Sequence, residues 1–129
     1  MSLVDRIVEE QSLLKMKPAT KEQIKEAETC LGLRFATEYC EYLEAFGAAT
    51  FLNFELTGIC KSERLNVVDA TNRARNRYPQ IPKDYYVVEE IGVDRVVIVQ
   101  NHSGTVFQYG PIDRAKKINS SLEEYLFSI

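Results

Sequence analysis

Tryptophan is absent from this chain of 129 residues, histidine occurs once, proline four times and cysteine three times. Each scarcity removes a class of chemistry. A four-ligand zinc site draws on clustered Cys and His, and the lone His102 with the dispersed Cys30, Cys40 and Cys60 has neither the number nor the spacing, so no metal is expected. Three cysteines without redox spacing read as reduced thiols of a cytoplasmic protein, Cys30 and Cys40 packing as small side chains in or beside helices. No stretch reaches the roughly 18 apolar residues of a membrane span. The N-terminus MSLVDRIVEEQ carries Glu9 and Glu10 and lacks the positive region of a signal peptide. Glycine-rich phosphate motifs are missing as well; the six glycines read as turn and cap residues, and no cofactor is expected. Charge of one sign is also short: the formal net charge of −3 is too small for a binder of nucleic-acid polymers. It is unevenly spread, at −4 over residues 1–60 and +1 over 61–129.

What is present is the composition of a soluble globular protein, 45% hydrophobic and 27% charged, with the length of a single domain over 1–129. The organising stretch is RVVIVQNHSGTVFQY, Arg95 to Tyr109. Val96, Val97, Ile98 and Val99 form a short apolar run without alternation, which suits a strand buried on both faces. Asn101 to Gly104 supply turn chemistry and Thr105 to Tyr109 a returning strand, so this is read as the central hairpin of a sheet.

Ahead of it the periodicity predicts helices. Leu3, Val4, Ile7, Val8 and Leu14 suggest a first amphipathic helix within residues 2–15, ended by Lys17-Pro18. Thr20 and Gln23 form a capping-box pattern before Ile24, Ala27 and Leu31, with Gly32 placed to close that second helix. Phe35, Tyr39, Tyr42, Leu43 and Phe46 mark a third helix ending at Gly47; its aromatic stripe reads as core in preference to a ligand box. Ala49 to Ile59 reads as strand with a turn or bulge at Gly58, and Asn66 as the cap of a helix from Val67 to Arg77. Tyr85 to Ile91 is a strand, Gly92-Val93-Asp94 its turn, Pro111 and Asp113 a break, and Arg114 to Ile118 an edge strand blunted by lysines. Ser121 and Glu124 open a C-terminal helix with Leu122, Tyr125 and Leu126 inward. Strands joined by tight turns are antiparallel, so the order gives an α+β fold: a mostly antiparallel sheet with a central hairpin, packed against N-terminal and C-terminal helices.

Reaction chemistry is harder to find. His102 reads as a polar turn residue, and its neighbour Ser103 does not make a nucleophile–base pair by adjacency. Glu89 and Glu90 alternate across a strand and so cannot share an acid–base site. Arg73 and Arg77 share a helix face, Arg75 does not, and all three complement the helix dipole; a nucleic-acid surface is the alternative reading.

Three segments together resemble the SUKH superfamily, which includes bacterial toxin-immunity proteins and a yeast cell-wall-assembly regulator. TKEQIKEAETCLGLRFATEYCEYLEAFG is similar to the family's opening helix pair through Thr20, Ile24, Glu28, Leu31-Gly32, Tyr39, Tyr42-Leu43 and Phe46-Gly47, with Arg34-Phe35 where the family often has Leu-Pro. IGVDRVVIV and SGTVFQYG resemble its glycine, acidic residue, apolar strand and Gly-x-Val hairpin (Gly92, Asp94, Val96 to Val99, Gly104, Val106). INSSLEEYL resembles its closing segment, with Leu122 and Tyr125 at the aromatic positions. The resemblance implies a non-enzymatic cytoplasmic binding module that blocks a protein toxin of nuclease or deaminase class by contact, with neither nucleic acid nor membrane as partner, as a monomer or weak homodimer. A regulatory scaffold for cell-wall synthesis is the alternative. Because nucleases present basic grooves, Glu38, Glu41 and Glu44 on the third helix, with Glu55, Glu89, Glu90 and Asp94 on the sheet, are the expected toxin-facing residues. Reversing the helix trio is expected to weaken binding and leave thermal stability nearly unchanged.

Overall fold

The structure, a computed structural model, describes residues 2–91, 95–111 and 115–127. In chain order the elements are α1 (Leu3–Val8), β1 (Leu14–Lys15), α2 (Lys21–Leu31), α3 (Thr37–Phe46), β2 (Ala49–Phe51), β3 (Phe54–Glu55), α4 (Val67–Arg77), β4 (Tyr86–Ile91), β5 (Val96–Gln100), β6 (Val106–Tyr109), β7 (Lys116–Asn119) and α5 (Leu122–Phe127). Two antiparallel sheets result, ordered β1-β2-β3 and β4-β5-β6-β7. A single bridge from Leu56 to Glu89, with the Thr57 N–H donating to Val88 O at 2.9 Å, joins them edge to edge.

Local chemistry explains most boundaries. Thr20 and Gln23 exchange both capping-box bonds at the start of α2, and Gly32 closes it at φ 69°. The Asn66 side chain accepts from the Val68 and Asp69 amides at the start of α4. Helix α3 has no side-chain cap; the Ala36 N–H instead donates to the Tyr86 hydroxyl at 2.9 Å. A cap is worth about 1 kcal/mol, whereas burying each large apolar side chain contributes about 2 kcal/mol. Tyr39, Tyr42, Leu43 and Phe46 are all buried, so packing and not capping holds α3.

Strand β5 is buried on both faces, as its apolar run predicts. Ile98 joins Tyr86, Val88 and Val106 in a core beneath α1, α2, α3 and α5. Val97 and Val99 join Val87 and Tyr109 in a second core on the other face, beneath Ala70 and Ala74 of α4 with Tyr78 and Ile81. A sheet with helices on both faces has no solvent side, which is why alternation is missing from β5. The β4–β5 register shifts between Val87 and Glu89, and the Val87 amide is taken up by Thr71 Oγ1 of α4 at 3.0 Å.

Several expectations need correcting. The first helix stops at Val8. Leu14 pairs with Thr50 in β1, and both Val8 and Leu14 are exposed, so pairing with β2 overrides the apparent helical spacing. Ala49–Ile59 is not one strand, because the chain turns at Leu52 (φ 52°) and Asn53 between β2 and β3. Ser121 Oγ does accept from the Glu124 N–H, but the Glu124 carboxylate turns away to Ser120 N and Asn119, so only half the capping box forms. The last strand lies at Lys116–Asn119, on the sheet edge as expected. The expected turn Gly92-Val93-Asp94, and with it Asp113 and Arg114, lies outside the described residues.

Where α3 ends, three backbone segments cross at close range. Gly47 adopts φ 72°, its carbonyl accepts from Ile59 N at 2.9 Å, and a Cβ on Gly58 would sit 1.8 Å from that carbonyl oxygen. No side chain fits there. Gly58→Ala is expected to lower stability by about 3 kcal/mol or more through forced backbone separation, measured by urea denaturation; a loss under about 1 kcal/mol would show that the crossing relaxes freely.

Candidate functional site

The seven carboxylates expected to face a partner do not form one acidic surface. Glu38 points inward. Its Oε1 accepts from Gln100 Nε2 at 2.7 Å and from the Leu122 amide, and its Oε2 from the Glu123 amide at 3.3 Å. It therefore caps the first turn of α5, whose free amides and dipole favour a negative charge. Gln100, fully buried, extends the chain of bonds: its Nε2 also donates to Gly104 O at 3.0 Å, and its Oε1 accepts from Tyr86 at 2.7 Å. The helix face that was expected to be solvated is, at Glu38, a structural junction.

Glu89 is likewise buried. Its Oε1 accepts from the Tyr125 hydroxyl at 2.6 Å and its Oε2 from Glu55 N at 3.0 Å. Burial pushes its carboxyl above the ordinary value near 4.5, while these two donors pull it back part of the way. Glu55 pairs with Arg64, and Glu90 pairs with Arg73 at 2.8 Å. Asp94 lies outside the described residues. Of the seven, Glu41 is exposed and Glu44 partly so, and no internal ion pair engages either among the described residues.

The arginine triplet is divided among different tasks. Arg73 grips Glu90 and also donates to the carbonyls of Glu63 and Arg64. Arg75 donates to Leu31 O at 3.0 Å and Lys83 O at 2.7 Å, fastening the end of α2 to the segment leading into β4. Arg77 stays exposed.

His102 lies at the β5–β6 turn with Nδ1 at 3.2 Å from Phe35 O; a carbonyl only accepts, so Nδ1 carries the proton and ties the turn to the α2–α3 connection. The Ser103 hydroxyl donates to Asn101 Oδ1 at 2.8 Å and makes no pair with the imidazole. Next to them a cavity of about 350 Å³ is lined by Lys21, Ile24, Arg34, Phe35, Cys40 and His102. Burial and the carboxylates of Glu28, Glu44 and Glu41 push the Cys40 thiol up to about 11, which keeps it protonated and unreactive at neutral pH. Cys30, expected to pack inward, is exposed because it falls on the outer face of α2. Among the described residues no group of three or more His, Cys, Asp or Glu is placed to hold a metal, and no helix is long and apolar enough to cross a membrane.

The sequence offered no sign of the tyrosine network. Tyr39 donates to Thr57 Oγ1 at 2.9 Å, since the Thr57 hydroxyl proton is spent on Val87 O at 2.7 Å. The Tyr42 hydroxyl accepts from Ala49 N and donates to Thr57 O. These phenols are fully buried and all their bonds are internal.

A sheet covered on both faces, with Thr57, Thr71, Glu89 and Gln100 hydrogen-bonded between elements, defines an α+β scaffold. The chain matches the SUKH_5 family, described as SMI1-KNR4 cell-wall, over residues 2–129, and it belongs to that family. Its fold is shared by a crystal structure of a protein from Pseudomonas syringae pv. tomato, with a TM-score of 0.77 over 98% of this chain and 95% of that one, at 13% sequence identity. No curated protein matches.

Two outcomes follow from these geometries. Glu38→Ala removes the α5 cap and leaves Gln100 unpaired on one side, so stability should fall by about 1–3 kcal/mol with faster amide exchange at Leu122 and Glu123. A variant as stable as the wild type would show that the junction contributes nothing. For Glu89, the folded carboxyl is raised above its unfolded value, so its stabilising contribution is complete below about pH 4.5 and is lost as pH rises through the higher folded value. Glu89→Gln should flatten the fall of melting temperature with pH across that window; parallel curves would remove Glu89 as its source.

Proposed function

We propose that this protein is a non-enzymatic binding module of the immunity type, which neutralises a toxin domain of nuclease or deaminase class by direct contact in the cytoplasm. The observation that carries the reading is the family match, which runs over residues 2–129. The interior supports it. The only histidine is bonded to a backbone carbonyl, the Cys40 thiol is held protonated, and the buried carboxylate Glu89 already has two internal donors. Groups spent on internal bonds are not free to act on a substrate.

Glu41 and Glu44 remain as the acidic part of the contact surface, where they would steer a basic nuclease groove. The second reading is a regulatory scaffold for cell-wall synthesis, favoured by the family's cell-wall description. Co-expression with the product of the neighbouring gene, followed by affinity capture and titration calorimetry, separates the two. Immunity predicts a one-to-one complex and rescued growth. In that complex Glu41→Lys with Glu44→Lys should weaken affinity about tenfold, mostly through the association rate, at unchanged melting temperature. The absence of both complex and rescue would leave the scaffold reading.

A further inference from the structure

Two segments far apart in the sequence meet beside the start of α2. Met16, Lys17 and Pro18 form one wall of a groove of about 630 Å³, Ile59, Cys60 and Lys61 form the other, and Gln23 of α2 completes it. Both walls are pinned at the Gly47 crossing. The Ile59 N–H donates to Gly47 O at 2.9 Å, and the Lys17 carbonyl occupies the place where a Cβ on Gly47 would stand. On either side of Lys17, the Met16 and Ala19 amides donate to Ala48 O at 3.0 Å and Leu43 O at 2.9 Å. The Asn66 side chain holds the second wall through Cys60 O at 3.0 Å. The groove is therefore preformed, and filling it orders little that is not already ordered.

Its polar side chains offer donors. Lys17 and Lys61 are exposed and have no ion pair among the described residues. Gln23 Oε1 is committed to the Thr20 N–H at 2.9 Å, which leaves the amide nitrogen, a donor, without a partner among the described residues. No described carboxylate lines the groove; Glu26, one turn further along α2, lines a separate cavity. Strand register sets the groove toward the Tyr86 end of β4, because Leu56 bridges Glu89 and the Thr57 amide reaches Val88 O, and so away from Ile91, Val96 and Tyr109. The rest of the lining is apolar: Met16 is 38% exposed, Pro18 is exposed and Ile59 is partly so.

Donors around an apolar lining call for a ligand that is acidic and carries an apolar body. We propose that this groove seats an acidic, partly apolar segment of a protein partner, its carboxylates meeting Lys17, Lys61 and the Gln23 amide, and an aliphatic side chain resting on Met16, Pro18 and Ile59. Ammonium–carboxylate hydrogen bonds are stronger than neutral ones, and the unbranched thioether of methionine adapts to the shape laid against it. A nucleic acid fits less well, since a phosphodiester chain makes no use of the apolar lining. A free fatty acid also fits less well, because its tail needs enclosure and both walls here are surface segments. In taking the occupant to be a protein, this inference rests on the binding role proposed above.

The test titrates the isotope-labelled full chain with a peptide alternating Glu and Leu, the same peptide with Gln replacing Glu, an oligothymidylate, and decanoate. The expected result is amide shifts centred on Lys17, Gln23, Ile59 and Lys61 with the Glu-Leu peptide alone. A Lys17→Gln, Lys61→Gln double variant should bind it about tenfold more weakly and melt like the wild type. Equal binding of the Gln-Leu peptide, preference for the oligothymidylate or decanoate, shifts centred elsewhere, or unchanged binding by the double variant would each overturn it. In the co-expressed complex, full affinity of the double variant overturns the groove and leaves immunity standing. If the wild type forms no complex, the immunity reading fails, and the peptide titration still decides the groove.

Discussion

The carboxylate of Glu38 is where the separate layers of this protein are fastened together. It sits on α3, receives the side chain of Gln100 from the central strand, and receives two amides from the first turn of α5. Through Gln100 the same chain of bonds reaches Gly104 in the β5–β6 turn and Tyr86 in β4, and Tyr86 in turn accepts the uncapped start of α3. Each link satisfies a group whose burial without a partner would cost about 1–3 kcal/mol. The junction therefore sets the position of α5, a helix of six residues that is too short to persist alone.

Around that junction the architecture leaves little free polar chemistry inside. The sheet is covered on one face by the N-terminal and C-terminal helices and on the other by α4. Thr57, Thr71, Glu89 and Gln100, the buried polar side chains, are all hydrogen-bonded to other elements. The outside is patterned: Glu41 and Glu44 on α3 are acidic, while Arg77 is exposed at the end of α4, which packs on the other face of the sheet.

Much of the architecture was legible because it is written locally. Thr20 with Gln23, and Asn66 before an amphipathic run, mark helix starts within a few residues. The apolar run Val96 to Val99 announced a strand with two buried faces. What could not be read depends on distant residues. Leu14 continues the helical spacing of α1 yet leaves it to pair with Thr50, and Leu52 takes a left-handed turn that its side chain does not advertise. Glu38 shares the outward spacing of Glu41, but the amides it caps lie more than 80 residues away. A charge pattern on one helix identifies its polar face; it does not reveal which neighbour later covers part of that face.

The tyrosines have a consequence for how this protein meets alkali. Burial raises the phenols of Tyr39, Tyr42 and Tyr86 well above the ordinary value of 10, and each is bonded to another element. In the unfolded chain they ionise normally, so above about pH 10 every increment of base favours the open form. Phenolate absorbance from these three rings should then appear abruptly, with the collapse of the fold, and not along the smooth curve of exposed phenols. Without tryptophan to mask them, the protein's own rings become a spectroscopic gauge of whether its core is shut.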